Sequence, residues 1–312
     1  MGKAAAQPPA LRIGSRGSPL ALVQARAVQS RLAATGLDAA RIEIKVIRTT
    51  GDVVRDRPLA EAGGKGLFTK EIEAALIAGE IDLAVHSAKD VPTVLPPGLV
   101  LAGFLPREDP RDAFVSRKAK TLRELPSGAL IGTASPRRQA LLKRLRPDAA
   151  VVTLRGNVET RLQKLEAGEI DATLLAVAGL RRLGLLSAAT AILEPEEFLP
   201  AVGQGAIAIE TRADDARTRM LAAKLDDPDT AIALAAERAF LAVLDGSCRT
   251  PIGGHARVNG EKVNFRGVIV KPDGSAAFEV ARDGRRDEAA TLGADAGREL
   301  RERAGADFFL RA

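Results

Sequence analysis

Cysteine is almost missing from this 312-residue chain, which contains Cys248 and no other. One thiol excludes an intrachain disulfide and a multi-thiolate metal centre. Histidine is nearly as scarce, with His86 and His255 alone. A His-based zinc site therefore lacks ligands, and no metal is expected. Tryptophan and tyrosine are absent and phenylalanine occurs nine times. Such a chain has little on which to stack unpaired bases, so no nucleic-acid partner is expected. No apolar run reaches the about 18 residues that a membrane-spanning helix needs, so no membrane is expected either. The opening "MGKAAAQPPALRIG" lacks the apolar core of a secretory signal. Residues 1–10 read as a disordered N-terminus, and the protein as cytoplasmic. Nothing in the sequence demands more than a monomer.

What is present describes a globular protein of two or three domains, with 46% hydrophobic residues and a mean hydropathy near zero. The net charge of +6 comes with many arginines. It is consistent either with solvated helix faces or with an anionic partner. The segment "RGSPLALVQARAVQSRLAATG" reads as a helix, with Ser18 as cap, Pro19 at its first position and Gly36 beyond its end. Alternating "RIEIKVIRT" then reads as a strand. After the polar loop 52–66 come helix "LFTKEIEAALIAG" and strand "IDLAV". Strands alternating with helices imply an α/β domain with a largely parallel sheet.

The pentapeptide "AGEID" occurs at 78–82 and again at 167–171, each time between an amphipathic helix and a buried-type strand. That echo implies two lobes of similar topology. "EPEEFLPAVGQGAIAIE" reads as a hinge returning the chain to the first lobe. Two such lobes would enclose a ligand cleft. Near the end, a capped helix precedes strands with Asn-Gly and Asp-Gly turn signals, and "EAATLGADAGRELRERAG" closes the chain as a helix. The expected division is 11–105 with 206–224 as domain 1, 106–205 as domain 2, and 225–312 as an α+β domain 3.

The chemistry concentrates at strand ends. "GSRGSPLA" offers Arg16 and Ser18, and "GTASPRRQ" offers Ser135, Arg137 and Arg138. "LRGNVETRL" offers Arg155, Gly156 and Arg161, and "GLRRLG" offers Arg182. Helix N-termini and arginine forks suit carboxylates or phosphates. One such turn would be ordinary surface, whereas several from both lobes describe a cleft for a multiply charged anion. "GGKGLF" matches no phosphate-binding loop motif. It reads as a plain loop or as a cationic lid made of Gly64, Lys65, Gly66 and Phe68. Cys248, beside Arg249 in a predicted loop, is either an incidental thiol or an activated one. In "VHSAKDVP", Ser87, Lys89 and Asp90 sit at the tip of a buried strand, where α/β sheets place ligands. A carboxylate in a cationic cleft can steady a developing cation or take its proton.

Together, "RGSPLAL", "GGKGLF", "DLAVHSAKDVP", "REDPRDAFVS", "GTASPRRQ", "LRGNVETRL", "LAVAGLRRLG", "LPAVGQGAIAIE" and "GSCRTPIG" resemble the porphobilinogen deaminase family, in family order from about Leu11 onward. The resemblance implies an α/β fold of two periplasmic-binding-protein-like lobes, with mixed, mostly parallel sheets, plus a small C-terminal α+β domain. It implies a transferase that joins four porphobilinogen molecules head to tail, releases ammonia each time, and yields hydroxymethylbilane. By the same resemblance Cys248 carries a dipyrromethane cofactor through a thioether, and Asp90 is the catalytic aspartate. Arg16, Ser18, Gln24, Lys65, Lys89, Thr133, Ser135, Arg137, Arg138, Arg155, Arg161 and Arg182 match positions associated with cofactor or substrate carboxylates. His86 is expected to be structural. The competing reading is a non-catalytic bilobal polycarboxylate-binding module, which gives Cys248 and the third domain no task.

Overall fold

Chain order begins with β1 (Leu11–Ser15), α1 (Pro19–Ala34), β2 (Ile42–Val46), α2 (Thr50–Val53), α3 (Lys70–Ile77), β3 (Leu83–Ser87) and β4 (Leu99–Phe104). It continues through β5 (Asp112–Ser116), β6 (Leu130–Gly132), α4 (Pro136–Leu145), β7 (Ala150–Val152), α5 (Val158–Glu166), β8 (Ala172–Ala176), α6 (Val177–Arg182) and β9 (Ala191–Leu193). Next come β10 (Ile207–Arg212), α7 (Ala216–Ala223) and α8 (Pro228–Val243). Last are β11 (Ile252–Asn259), β12 (Lys262–Val270), β13 (Ala277–Arg285) and α9 (Ala289–Ala304). These assignments come from a computed structural model that describes residues 11–53, 66–246, 250–305 and 308. Residues 1–10, Gly64, Lys65 and Cys248 lie outside the described residues.

Two five-stranded sheets carry the first two lobes, in orders β2-β1-β3-β10-β4 and β7-β6-β8-β5-β9. The arrangement repeats: three parallel strands lead, and the fourth position is antiparallel to both neighbours. In each sheet that antiparallel strand adjoins a crossing between lobes, since β5 follows the first crossing and β10 follows the second. The echo of "AGEID" has a local cause. Gly79 and Gly168 both take positive φ, 71° and 74°, just past α3 and α5. Glycine enters that region without a Cβ penalty and closes the helix end. Ile81 and Ile170 then enter the cores, and the aspartate turns back to the sheet. Asp82 accepts from the backbone amide of Arg12 at 2.7 Å, and Asp171 from that of Leu130 at 2.8 Å. One pentapeptide thus docks a helix end onto the neighbouring strand twice.

The caps follow from residue type. Ser18, Ser135 and Asn157 accept from the amides of Ala21, Arg138 and Thr160 and start α1, α4 and α5, with proline at the first turn of α1 and α4. The buried runs "LAVHS" and "ATLLA" are strands covered on both faces, which explains their unbroken apolarity. The first lobe's core gathers Leu11, Ile13, Val28, Leu83, Val85 and Ile209. The second lobe's core is built around Phe114, Ile131, Leu142, Leu174 and Phe198.

The third domain is an antiparallel sheet, β11-β12-β13, with α8 and α9 packed around Phe240, Phe265, Leu292 and Leu300. Its strands turn at Asn259–Gly260 and near Asp273–Gly274, as the turn signals indicate. It is not an appendage. Val268 and Val270 of β12 belong to the second lobe's core, and Leu234 of α8 packs with Ala88, Val91, Ala206 and Ala208 of the first. Glu237 of α8 is fully buried and pairs with Arg107 at 2.5 Å. It also accepts from the amides of Gly203 and Ala256 at 2.7 and 2.8 Å. A buried carboxylate with that many donors ties both crossings to domain 3. Among the described residues, no helix is long and apolar enough to cross a membrane.

Candidate active site

The carboxyl ends of β1, β2 and β3 face those of β6, β7 and β8 across a cavity of about 670 Å³. That volume falls within the roughly 300–1,000 Å³ of small-molecule sites. From the first lobe come Arg16, Ser18, Arg48, Asp52, Phe68, Lys89 and Asp90. From the second come Ser135, Arg137, Arg138, Arg155, Gly156, Asn157, Glu159 and Arg161. Gln204 on the second crossing and Leu241, Thr250 and Ile252 of domain 3 complete the wall. Seven of these side chains are cationic and three are carboxylates, so the space carries a positive field. The N-termini of α1, α4 and α5 open on the same space and add their amide dipoles.

Gly156 shows how closely the wall is fitted. Its φ of 120° lies in the left-handed region, and a Cβ there would approach the Thr160 side chain to 2.8 Å. Only glycine lets the backbone between Arg155 and Asn157 turn along the cavity.

Asp90 closes a single 3₁₀ turn, Ala88–Asp90, that follows β3 directly. Across from Asp90, Arg16 Nη1 stands 3.9 Å from its Oδ2. The other edge of the Arg16 fork is bound to Asp52, with Nη2 2.5 Å from Oδ1, and its plane lies 4.2 Å over the Phe68 ring. Burial would raise the Asp52 carboxyl, but the hydrogen bonds and charge of Arg16, with help from Thr49, hold it below its ordinary value.

Lys89 donates to Gln204 Oε1 at 3.1 Å. Burial, reinforced by Arg138, pushes its ammonium down to about 8 against the opposing pull of Asp90 and Asp112. Arg161 is lowered to about 10, first by burial and then by Arg138 and Arg155. Cations crowded until they repel one another are a site built for an anion.

Arg137 and Arg138 differ from expectation. They border the cavity, but their guanidinium groups are held from behind by Asp112, which is fully buried at the start of β5. Arg137 Nη2 lies 2.7 Å from Oδ2, and Arg138 Nη2 lies 2.6 Å from Oδ1. Further donors reach the carbonyls of Leu199 and Leu174. Burial would raise the Asp112 carboxyl, yet the two arginines hold it far below its usual range. The amide orientation of Gln204 follows from its partners. Nε2 faces the Pro110 carbonyl at 2.7 Å and Asp112 Oδ1 at 2.9 Å, both acceptors, so Oε1 must face Lys89.

Four of the residues singled out in the sequence lie off the wall. Gln24 and Ser87 bond to each other behind it at 2.9 Å, and Thr133 accepts from the amide of Ser135 at 3.2 Å. Arg182 donates to the Gly205 carbonyl at 2.7 Å, on the second crossing. Of the residues expected to form a lid, Phe68 lines the cavity, Gly66 only begins the turn before α3, and Gly64 and Lys65 are outside the described residues. His86 is buried with Nε2 3.0 Å from Glu210 Oε2, a structural place away from the cavity. Among the described residues no cluster of His, Cys, Asp and Glu could hold a metal ion. Sequence reasoning missed Arg48, Asp52, Asp112, Glu159 and Gln204. Arg48 carried a usable signal, since it follows β2 as Arg16 follows β1.

Comparison with known proteins agrees with the geometry. Residues 11–220 match the model for "porphobilinogen deaminase, dipyromethane cofactor binding domain", and 231–302 match "porphobilinogen deaminase, C-terminal domain". The chain is 64% identical over 298 residues to the porphobilinogen deaminase of Nitrobacter hamburgensis, covering 95% of this chain and 94% of that protein. It is 63% identical, with the same coverage, to the porphobilinogen deaminase of Nitrobacter winogradskyi. Among solved structures it is similar to a periplasmic substrate-binding protein of an ABC transporter from Coxiella burnetii. That likeness is 16% identical, with TM-score 0.45, and covers 71% of this chain and 94% of that one. A nutrient-binding protein from Burkholderia cenocepacia, bound to methionine, is 16% identical with TM-score 0.43, covering 68% and 89%.

Proposed function

Because the chain belongs to the porphobilinogen deaminase family, we infer that the cationic cavity is where its tetrapyrrole is assembled. The enzyme is a hydroxymethylbilane synthase: it joins four porphobilinogen molecules head to tail with release of ammonia. Its cofactor is dipyrromethane. The non-catalytic binding module is not favoured.

The residues present fit that group. Each pyrrole ring brings an acetate and a propionate, and the wall supplies Arg16, Lys89, Arg155 and Arg161 to hold them. Among the described residues, the buried Nε of Arg137 has no hydrogen-bond partner. When bound, the cofactor supplies the ring carbon to which the first substrate unit is joined. The attachment point is proposed to be Cys248. The described residues around it support this, since Leu241 before it and Thr250 and Ile252 after it all line the cavity.

Asp90 is the proposed catalytic residue. Ammonia leaves substrate with the C–N bond electrons, and positive charge then falls on the pyrrole ring nitrogen. A carboxylate fixed at the cavity wall stabilises that charge and accepts the proton released once the new carbon–carbon bond has formed. Arg16 Nη1, 3.9 Å from Asp90 Oδ2, sets a cation beside that carboxylate. The observation that carries this reading is a carboxylate at a strand tip, on a wall lined by arginines from both lobes. Asp90→Ala should keep the fold and lose nearly all turnover of porphobilinogen, and near-normal rates would refute the assignment. Intact mass should show an addition of two pyrrole units that disappears in Cys248→Ser. The monomeric, cytoplasmic state, without membrane or nucleic-acid partners, is part of the same proposal. Sedimentation at the 32.8 kDa mass of one chain tests the monomer.

A further inference from the structure

The turn that presents Asp90 is followed by Val91, Pro92 and Thr93, whose carbonyls converge on one side chain of the third domain. Arg238, on α8, donates from Nη2 to the carbonyl of Pro92 at 2.7 Å and to that of Thr93 at 3.2 Å. Its Nη1 lies 3.4 Å from the carbonyl of Val91. We propose that Arg238 is a positioning residue for Asp90, locking the catalytic turn to the helix that leads toward Cys248. The proposal rests on the reading of Asp90 as the catalytic carboxylate.

Several contacts act together at this point. Leu234 lies four residues before Arg238, on the same face of α8, and packs with Ala88 and Val91. The second crossing packs into the same cluster through Ala206. Ala88 donates to the Ala206 carbonyl at 3.0 Å, and Gly203 sits so that a Cβ would come within 3.0 Å of Lys89 N. The turn is therefore packed against both α8 and the crossing, and the segment that leaves it is pinned by a guanidinium. That segment is not in a strand and Pro92 has no amide hydrogen, so the Arg238 bonds take the place of a sheet ladder. Beyond Arg238 the helix runs on to Val243, with Leu241 at the cavity wall. At 1.5 Å per residue, the grip on the turn and the helix end are about 7.5 Å apart on one rigid element. Asp90 and the carboxyl end of α8 are thereby held in one frame.

Catalysis is sensitive to such placement, because a shift of about 1 Å can cost ~100-fold. Lysine cannot reproduce a planar fork that reaches three carbonyls. Steady-state kinetics on holoenzyme, with cofactor loading confirmed by intact mass, should show Arg238→Leu lowering kcat about 10- to 100-fold with KM within about threefold. Arg238→Lys should lose less, and it serves alone if the leucine variant does not fold. The decisive readout is coupling. In Asp90→Asn enzyme, measured under single turnover, adding Arg238→Leu should slow the residual reaction by less than about twofold, because there is no carboxylate left to place. A kcat within twofold of wild type in Arg238→Leu overturns the proposal. So does a second mutation that slows Asp90→Asn as much as it slows the native enzyme. If Asp90→Asn itself turns over normally, the assignment of Asp90 fails instead, and the two failures are distinguishable.

Discussion

Replacing Asp112 by asparagine removes one negative charge from between two buried guanidinium groups and leaves the shape intact. Asp112 is fully buried, and Arg137 and Arg138 are only 3% and 5% exposed, so neither arginine can turn to water for compensation. Breaking a buried pair by removing one partner typically costs 3–5 kcal/mol, about the desolvation left unbalanced. Against a total folding stability of about 5–15 kcal/mol that is a large fraction. For a chain of this size each kcal/mol shifts Tm by roughly 2–4 °C, so Asp112→Asn should melt roughly 6–20 °C below wild type. Thermal unfolding of the holoenzyme, followed by circular dichroism, measures this directly. The cause is tested by Asp112→Asn/Arg137→Met, which removes one orphaned cation and should recover part of the loss rather than add to it. A single-mutant Tm within about 2 °C of wild type, or a double mutant that falls by the sum of both losses, would refute the reasoning.

Three other outcomes follow from particular groups. Lys89 holds its charge only below about 8, so KM for porphobilinogen should rise as pH climbs through that value, and a flat profile would remove Lys89 from binding. His255 is pushed down to about 4 by burial, with Glu237 opposing and Arg107 assisting, so the folded protein keeps it neutral. The unfolded chain binds that proton near 6.5, so stability from this source is complete above 6.5 and is lost as pH falls toward 4. His255→Gln should flatten that limb of the urea-midpoint profile. Gly156→Ala places a Cβ against Thr160 at a φ of 120°, which should cost about 1–3 kcal/mol and weaken cofactor loading seen by intact mass.

The local features were open to reading because they are local. Ser18 with Pro19 and Ser135 with Pro136 announce helix starts within four residues, and the unbroken "LAVHS" announces a strand covered on both faces. The tips of those elements are therefore legible as a cleft in the sequence itself. What was hidden depends on partners distant in sequence. Asp112 lies 25 residues before Arg137, and nothing near either one says that they meet in the interior. For the same reason Arg137 and Arg138 read simply as anion grips, Gln24 and Ser87 gave no hint that they bond each other behind the wall, and Arg182 did not reveal its bond to the second crossing. The antiparallel fourth strand of each sheet was equally hidden, since β10 finds its neighbours more than 100 residues back.

The two crossings between the lobes run side by side and are bonded to each other. Leu105 donates to the Ile207 carbonyl at 3.1 Å, Glu108 to that of Gly205 at 3.2 Å, and Gln204 Nε2 to that of Pro110. A Cβ on Gly205 would stand 2.2 Å from the Glu108 carbonyl oxygen, so the strands are as close as backbones can come. Two segments laced in this way hold each other, so neither can slide past its partner without breaking these bonds. Glu237 of α8 grips both of them, through Arg107 and the amide of Gly203, so domain 3 is fastened to the same joint. A side chain at Gly205 would therefore have to part both crossings at once, and with them the walls that carry Asp90 and the facing arginines.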